Sequence, residues 1–239
     1  MSTSSSQPLR DRWVARHAGD YRGPTFVVFG AIHGNEPTGV EAIEIVRDEL
    51  QDLRARMHGT FIGLIGNTRA FAAGVRFVER DLNRRWFPRD VEDLLNRTAA
   101  RDEQELVAED AEQRELIDIL HKLAAGSPKP VYVLDLHSTS SRSAAFACMS
   151  DTLQNHPLAF ALRVPVIFGL EEAVEGTMAG YLSDLGHVCV GFEGGGHDDP
   201  ATLPAQVAAI WVGLVTAGLL RREDVPRFDE YEERLQAIG

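Results

Sequence analysis

Three short stretches of the sequence place possible metal-binding side chains at the ends of apolar runs. His33 and Glu36 lie three residues apart in GAIHGNEPTG, and His137 follows the apolar run VYVLDL. Two imidazoles and one carboxylate are a donor set of catalytic zinc sites, which keep a further position open for water. A single histidine at a strand end is more often a hydrogen-bonded core residue, so this prediction depends on all three residues together.

Two further carboxylates supply what a hydrolytic site needs around its metal. Asp135 lies two residues before His137, on the same face of a strand, and could accept a hydrogen bond from its second ring nitrogen. Backbone donors at the strand edge could satisfy Asp135 instead. Glu193 follows the apolar run VCVGF and is the candidate general base and acid, the alternative being a glutamate in a turn. The nearby His197 is interpreted as a bystander or a residue of the pocket rim.

The turn between His33 and the next helix explains the placement of Glu36. Pro37 disfavours a helical conformation for the residue before it and suits the first position of a helix, so Glu36 lies at a strand-to-helix turn. Gly34 is expected to let the backbone bend tightly there. Glutamate is a poor N-cap, so a capping role explains little about Glu36.

The elements that must position these residues are predicted by hydrophobic patterning. Six apolar runs flanked by turn residues predict buried strands: TFVVFGAI, TFIGLIG, VYVLDLH, AAFACM, VPVIFG and VCVGFE. Predicted helices follow Pro37, span Asp102 to Leu123, Pro157–Leu162 and Thr177–Leu185, and follow Pro204. Strands that alternate with helices favour an α/β fold in one domain, with a mostly parallel sheet covered on both faces.

The segment from Arg76 to Arg101 is predicted to be a long irregular loop with short helical pieces, and such loops are usually functional or disordered. A basic island overlaps it, made of Arg69, Arg76, Arg80, Arg84, Arg85 and Arg89. These arginines could pair with nearby carboxylates in a solvated loop, or they could hold an anionic substrate. Charge alone does not decide between the two interpretations.

Composition excludes several classes of protein. The 239 residues carry a formal net charge of −12, which argues against nucleic acid or an anionic membrane as a partner. The sequence contains no apolar run long enough to cross a bilayer, and its N-terminus has no apolar core of a secretory signal. Cys148 and Cys189 are interpreted as buried thiols in a reducing cytosol, which predicts a cytoplasmic protein.

Five motifs occur in order along the chain: GAIHGNE, GNTRA, ERDLNRRW, DLHSTSS and GFEGGG. Together they resemble the succinylglutamate desuccinylase/aspartoacylase family of zinc amidohydrolases, relatives of the zinc carboxypeptidases. The motifs extend from Gly30 to Gly196, and their order makes them specific although each is common alone. The resemblance implies a three-layer α/β/α fold with a mixed, mostly parallel sheet, one zinc ion per subunit, and hydrolysis of an N-acyl amide bond.

The resemblance also implies roles for individual residues. The zinc ligands and the general base match positions already singled out, namely His33, Glu36, His137 and Glu193. Arg69, in GNTRA, matches the arginine that polarises the scissile carbonyl. Asn83 and Arg84, in ERDLNRRW, match the pair that holds a substrate carboxylate. No role follows for the other arginines of the basic island.

One departure from the family concerns the C-terminus. Fuller members carry a β-rich C-terminal domain that roofs the site, whereas here about twenty residues follow the WVGLVTAGLL helix, too few for an independent core. The predicted organisation is a flexible N-terminus over residues 1–20, a catalytic domain over 21–220 and an acidic C-terminal tail over 221–239. The substrate of the fuller members is therefore not expected to transfer.

The sequence thus predicts a zinc-dependent deacylase that cleaves the amide bond of an N-acyl amino acid or a related small acyl amide. The expected partner is a small molecule with a carboxylate, and self-association into a homo-oligomer is left open. Two alternatives remain. One is a carboxypeptidase-like zinc peptidase, which shares the five motifs, and the other is a zinc-bearing binding protein without turnover.

Overall fold

A computed structural model describes residues 10–99, 106–126, 130–169 and 174–239. Within these ranges the chain forms one seven-stranded sheet. The strands are β1 (Trp13–Ala18), β2 (Asp20–Gly30), β3 (His58–Ile65), β4 (Tyr132–Thr139), β5 (Phe146–Met149), β6 (Val166–Phe168) and β7 (Val188–Gly196).

The order of strands in the sheet is β1-β3-β2-β4-β7-β5-β6. Strands β3, β2, β4 and β7 run parallel to one another, while β1 is antiparallel to β3 and β5 is antiparallel to β7. The carboxyl ends of the four central strands therefore meet at one edge, where α/β folds place their ligands. The predicted mixed, mostly parallel sheet is confirmed.

Eight α-helices lie in the described part of the chain, with shorter 3₁₀ turns at Leu50–Arg56, Leu82–Arg84 and Arg222–Asp224. The helices are α1 (Thr38–Glu49), α2 (Thr68–Ala73), α3 (Pro88–Ala99), α4 (Ala108–Gly126), α5 (His156–Ala161), α6 (Met178–Asp184), α7 (Thr202–Thr216) and α8 (Phe228–Ile238). The predicted helices at Pro157–Leu162 and Thr177–Leu185 match α5 and α6 within a residue at each end.

Both faces of the sheet are covered, because strand side chains alternate between them. On β2, Phe26 and Val28 join one core cluster with α1, α5, α7 and α8. Val27 and Phe29 join a second cluster with α3, α4 and α6. A strand buried on both faces reads as a continuous apolar run, as FVVF does. The three-layer α/β/α architecture is confirmed.

The N-terminal segment contains an element that the apolar patterning did not predict. Residues 1–9 of the predicted flexible N-terminus lie outside the described ranges, but Trp13–Ala18 forms β1 at the sheet edge. Before it, the buried Arg12 donates to the carbonyls of Ile65 and Gly66 at 2.8 and 2.7 Å and pairs with Glu112. Pairing with β3 and the buried ion pair of the preceding Arg12 therefore hold Trp13–Ala18, a segment that lacks an apolar run.

The region predicted as irregular between Arg76 and Arg101 contains a regular helix. α3 has twelve residues and buries Val91 and Leu94 against the second core cluster. Its apolar side chains are few, so packing rather than a long apolar stripe supports it. The next predicted helix, Asp102 to Leu123, corresponds to α4, which begins at Ala108 after the non-helical residues 106 and 107; residues 102–105 of that prediction lie outside the described ranges.

The acidic C-terminal tail completes the main core. Within it, α8 packs on α7, burying Phe228 and Leu235, and the rings of Tyr231 and Trp211 stack 5.9 Å apart. Neither Cys148 nor Cys189 forms a disulfide. The domain limits at residues 21 and 220 stay a prediction.

Among the helices of the described ranges, none combines the length and the apolar character that crossing a membrane requires.

Candidate active site

His33, Glu36 and His137 meet at the carboxyl edge of the sheet. His33 follows β2, and His137 lies near the end of the neighbouring β4. Glu36 lies between them, with Oε1 2.9 Å from His33 Nδ1 and Oε2 3.2 Å from His137 Nδ1. One possible ligand atom from each residue lies within 4.8 Å of the others, and all three residues are buried. This cluster could hold one metal ion.

The chain before α1 shapes this cluster by a close backbone contact. A Cβ at Gly34 would lie 2.1 Å from the carbonyl carbon of Ala70, so only glycine allows this approach to α2. The residue with a left-handed backbone conformation in this turn is Ala31, with a φ of 54°, and not Gly34. Such strain is found at functional sites, where the surrounding structure holds it in place. Glu36 does not cap α1, since its Oε2 accepts from the Ser138 backbone N–H at 3.0 Å.

Each histidine turns its second ring nitrogen to an aspartate. His137 Nε2 lies 3.0 Å from Asp135 Oδ2, which is the contact that the sequence predicts for Asp135. His33 Nε2 lies 3.1 Å from Asp81 Oδ1, a residue that the sequence analysis did not single out. Both Nδ1 atoms therefore point toward Glu36 while both Nε2 atoms face carboxylates, an arrangement typical of metal-binding histidines.

The side chains of the cluster favour the charged forms of their neighbours. Burial opposes ionisation of Glu36, but hydrogen bonds from His137 and His33 hold the pKa of its carboxyl far below the ordinary value. Burial likewise opposes the charged form of His137, yet Asp135 and Glu36 raise the pKa of its imidazole well above normal. Negative side chains that surround two imidazoles favour a positive charge at the centre of the cluster.

Glu193 lies beside the cluster on the next strand. β7 pairs with β4 so that Glu193 is opposite His137 in the register. Its Oε2 is buried and has no hydrogen-bond partner among the described residues. Burial raises the pKa of the Glu193 carboxyl; Glu36 and Asp135 act in the same direction, while the charge of His137 opposes them. A carboxyl with a raised pKa is suited to accept a proton and then to donate it.

These residues line one cavity of about 550 Å³. That volume is within the range of small-molecule sites. Besides the cluster and Glu193, the residues that line it include Asn35, Arg76, Asn83, Arg84, Asp135, Ser138, Cys148, Thr177, Ala179, Gly191 and His197. His197, predicted as a bystander or rim residue, contributes to the wall and places Nδ1 2.7 Å from Ser138 Oγ.

The structure does not bring Arg69 into this cavity. Arg69 lies on α2, and its Nη1 donates to the Ala108 carbonyl at 3.1 Å and to Glu112 at 3.2 Å. These contacts tie α2 to α4 and leave the guanidinium away from the residues that line the cavity. Arg76 lies there instead, with Nη2 2.9 Å from His33 Nε2 and Nη1 3.8 Å from Glu36 Oε1.

Asn83 and Arg84, from the motif ERDLNRRW, both line the cavity. Asn83 is buried, and its Oδ1 accepts from the Met178 backbone N–H at 2.9 Å, so only its amide nitrogen could donate to a ligand. Arg84 Nη1 donates to the Asn83 carbonyl at 2.7 Å. Of the remaining arginines of the basic island, Arg80 lies near Asp110 and Arg85 lies near Asp90.

The three glycines after Glu193 do not end the strand, since β7 continues to Gly196. A Cβ at Gly194 would lie 2.9 Å from Gln206 Cγ, and one at Gly195 would lie 2.9 Å from Thr202 Oγ1. Close packing of β7 against α7 therefore favours glycine at these two positions.

Comparison with known proteins agrees with this geometry. The model of the succinylglutamate desuccinylase/aspartoacylase catalytic domain matches residues 22–210, most of the chain. The chain belongs to this family. A protein of Nostoc sp. named "Probable aspartoacylase" is 26% identical over 199 residues, which cover 82% of this chain and 57% of the Nostoc protein. The resemblance found in the five motifs is confirmed.

Solved structures show the same family fold. The succinylglutamate desuccinylase of Chromobacterium violaceum superposes with a TM-score of 0.61 at 18% identity, covering 81% of this chain and 61% of that one. The product-bound ectoine utilization protein EutE (DoeB) of Ruegeria pomeroyi has a TM-score of 0.62 at 22% identity, with coverages of 85% and 60%. The present chain thus spans about three-fifths of the length of these relatives.

Two residues near the cluster received no role from the sequence: Arg76, which lines the cavity, and Asp81, which contacts His33. Arg76 is one of the six arginines of the basic island, and nothing beside it in the sequence sets it apart. Asp81 lies in the motif ERDLNRRW, for which the resemblance implies roles only for Asn83 and Arg84. An acidic side chain inside a basic island was the signal for Asp81, since such a residue needs a cationic or hydrogen-bonding partner. For Arg76 the sequence contained no such signal.

Proposed function

We propose that this protein is a zinc-dependent hydrolase that removes the acyl group from an N-acyl amino acid or a related small acyl amide. One observation carries the proposal: the carboxylate of Glu193, whose Oε2 has no hydrogen-bond partner among the described residues, shares a cavity with the buried cluster of His33, Glu36 and His137. A base beside a metal-binding cluster is what hydrolysis of an amide requires. The membership of the family supports the same class of reaction.

The donor set of the cluster fits zinc. Two imidazole nitrogens and a carboxylate are common ligands of catalytic zinc, and Asp81 and Asp135 orient the two imidazoles from behind. A zinc ion bound there would lower the pKa of a water molecule and polarise a carbonyl oxygen. We therefore assign His33, Glu36 and His137 as the ligands of one ion per subunit.

Glu193 is the residue that we propose moves the proton. Its carboxylate accepts a proton from the attacking water and then delivers that proton to the departing nitrogen, which leaves as an amine. The raised pKa of its carboxyl brings both transfers closer to neutral pH.

Arg76 takes the role that the resemblance implied for Arg69. Its guanidinium lies against His33 and Glu36, within the cavity, where it can donate to the oxygen of the scissile carbonyl as negative charge develops. Asp81 Oδ2 holds the guanidinium at 3.0 Å, which limits the orientations it can adopt. Arg69 has no such access, so we propose a structural role for it.

Arg84 and Asn83 are proposed to hold a carboxylate of the substrate. Both line the cavity, and Arg84 Nη1 donates to the backbone carbonyl of Asn83. A planar guanidinium forms bidentate hydrogen bonds with a carboxylate, so it fixes orientation as well as affinity. We also propose the cytoplasm as the setting, where a reducing environment would keep the thiols of Cys148 and Cys189 reduced.

The test is a hydrolysis screen of the zinc-loaded protein against N-acyl amino acids and dipeptides, with Glu193→Gln prepared identically as the control. We expect release of free amino acid from one or more acyl amino acids by the wild type and a large loss in the variant. Preference for dipeptides would indicate a peptidase. Tight binding of a ligand without turnover of any substrate would indicate a binding protein and contradict the proposal.

A further inference from the structure

The loop from Arg76 to Asp81 carries two residues of the site but has little apolar anchorage. Arg76 enters the cavity and Asp81 contacts His33, as described above. Between them, Phe77 is 39% exposed and Val78 is 46% exposed, and neither side chain belongs to either core cluster. Polar contacts must therefore hold the backbone of this Arg76–Asp81 loop in place.

The carboxylate of Glu109 accepts from three consecutive backbone N–H groups of this loop. Its Oε1 accepts from the Val78 N–H at 2.7 Å, and its Oε2 accepts from Glu79 N–H at 3.0 Å and Arg80 N–H at 3.1 Å. The amide of Asn67 donates to Oε1 at 3.2 Å. An ionised carboxylate has about four acceptor sites, and four donors occupy them here. Glu109 is only 1% exposed, so water competes little for these bonds.

The helix that carries Glu109 is a firm support. α4 buries Leu116, Ile117 and Leu120 in the second core cluster. The loop also returns a contact to α4, because Glu79 Oε1 accepts from the Ala108 N–H at 3.0 Å. Glu109 of α4 thus accepts from amides of the loop, and Glu79 of the loop accepts from an amide of α4. The position of the loop therefore depends on the position of the helix.

We propose that Glu109 is a positioning residue of the active site, which acts by fixing the Arg76–Asp81 loop so that Asp81 orients His33 and Arg76 faces the cavity. This inference rests on the proposed function for the roles of Arg76 and His33. It adds a residue outside the cavity whose effect on the site passes through three backbone amides. A purely structural Glu109 would stabilise the fold without influencing metal affinity.

The negative charge of Glu109 is essential to this arrangement. Burial opposes ionisation, but the backbone N–H of Val78 and its neighbours, together with Asn67, lower the pKa of the Glu109 carboxyl. In Glu109→Gln one oxygen becomes an NH₂ group, which cannot accept a hydrogen bond and would face backbone N–H groups. At least one loop amide would lose its partner, and the loop would shift to restore it.

Glu112 provides a matched control on the same helix. It is also 1% exposed, and its carboxylate binds Arg12, Thr68 and Arg69, which do not line the cavity. Arg12 retains Glu115 at 2.8 Å if Glu112 is changed. Glu112→Gln therefore removes a comparable buried charge without touching the loop.

The experiment measures zinc affinity by competition with a chelator for the wild type, Glu109→Gln, Glu109→Asp and Glu112→Gln, together with melting temperatures. We expect zinc affinity to fall about 10-fold in Glu109→Gln, since loss of outer contacts to ligands typically costs 10–100-fold. Glu109→Asp keeps the charge and should recover part of the loss. Glu112→Gln should lower the melting temperature while zinc affinity stays within about two-fold of wild type.

Kinetics provide a second readout where turnover is present. Displacement of Arg76 should lower kcat about 10-fold or more in Glu109→Gln and change KM little, because the oxyanion contact is made mainly in the transition state.

Unchanged zinc affinity in Glu109→Gln, or equal losses of zinc affinity in Glu109→Gln and Glu112→Gln, would overturn the proposal. If Glu109→Gln does not fold, Glu109→Asp carries the test, and zinc affinity equal to that of wild type would overturn it. The zinc measurement needs no substrate, so it tests the role of Glu109 even if the proposed activity is not found.

Discussion

Asp81 and Asp135 occupy equivalent positions behind the two histidines of the site. Asp135 Oδ2 lies 3.0 Å from His137 Nε2, and Asp81 Oδ1 lies 3.1 Å from His33 Nε2. One aspartate comes from the same strand as its histidine, whereas the other comes from a loop 48 residues away. Both arrangements leave the Nδ1 atom directed toward Glu36.

This equivalence predicts that Asp81→Asn and Asp135→Asn weaken metal binding to similar extents. A carboxylate behind an imidazole fixes the ring and increases its basicity, and its loss typically costs about 10–100-fold in affinity. Zinc affinity measured by chelator competition tests this. Asp90→Asn is the control, because Asp90 pairs with Arg85 away from the cluster. A loss confined to Asp135→Asn would show that Asp81 does not support His33.

Arg76→Ala and Arg69→Ala should separate the two arginines. Removal of an oxyanion donor lowers kcat by about 10²–10³-fold, and we expect this for Arg76→Ala. Arg69→Ala removes contacts to Ala108 and Glu112 and should change the melting temperature more than kcat. Steady-state kinetics and melting curves of both variants provide the measurement. The reverse pattern would return the catalytic role to Arg69.

Glu193→Gln should lose most activity and yet gain stability. Loss of a general base costs about 10²–10⁴-fold in kcat. The pKa of the Glu193 carboxyl is raised by burial, so its charged form destabilises the folded state as the pH rises above its ordinary value. In metal-free protein, the variant should therefore melt higher than wild type at pH 7, and the difference should shrink near pH 4. Equal melting temperatures of wild type and variant at both pH values would contradict a raised pKa for this carboxyl.

The effect of Arg84→Ala on kcat/KM should depend on whether the substrate carries a free carboxylate. If Arg84 holds a carboxylate near the scissile amide, kcat/KM for an acidic substrate should fall by about 10²-fold or more, equivalent to about 3 kcal/mol. A matched substrate with the carboxylate masked as an amide should scarcely change. Arg84→Lys should restore part of the loss, since an ammonium lacks the planar fork. Equal losses on both substrates with a lower melting temperature would indicate a structural role.

His17 should make the fold sensitive to acid. It is buried on β1 beside Phe61, and burial lowers the pKa of its imidazole; Arg54 and Arg47 act in the same direction, while Asp48 and a backbone contact at Arg47 oppose them. The unfolded chain then binds a proton more readily than the folded one, so stability falls as the pH drops below about 6.5.

The variant His17→Phe removes this titration and keeps an aromatic ring against Phe61. We expect the melting temperature of metal-free wild type to fall more between pH 7.5 and 5.5 than that of the variant. His58→Gln, at an exposed position on β3, is the control and should follow the wild type. Parallel pH profiles for wild type and His17→Phe would show that His17 does not cause the acid sensitivity.

The sequence by itself determined the central strands, the layered fold and the residues at the strand ends. Apolar runs such as FVVF are buried on both faces wherever they occur in a parallel sheet, so local composition carries the information. Because parallel strands bring their carboxyl ends together, His33, His137 and Glu193 meet once the strands are recognised.

Tertiary structure decided the residues whose direction depends on a distant helix. Arg69 and Arg76 are seven residues apart, and the sequence did not reveal which one enters the cavity. Contacts with α4 direct Arg69 to Glu112, and the bonds of Glu109 hold the loop that directs Arg76 inward. β1 likewise depends on pairing with β3 and on the buried Arg12. These outcomes arise from long-range hydrogen bonds and ion pairs, which leave no periodic pattern in the sequence of either partner.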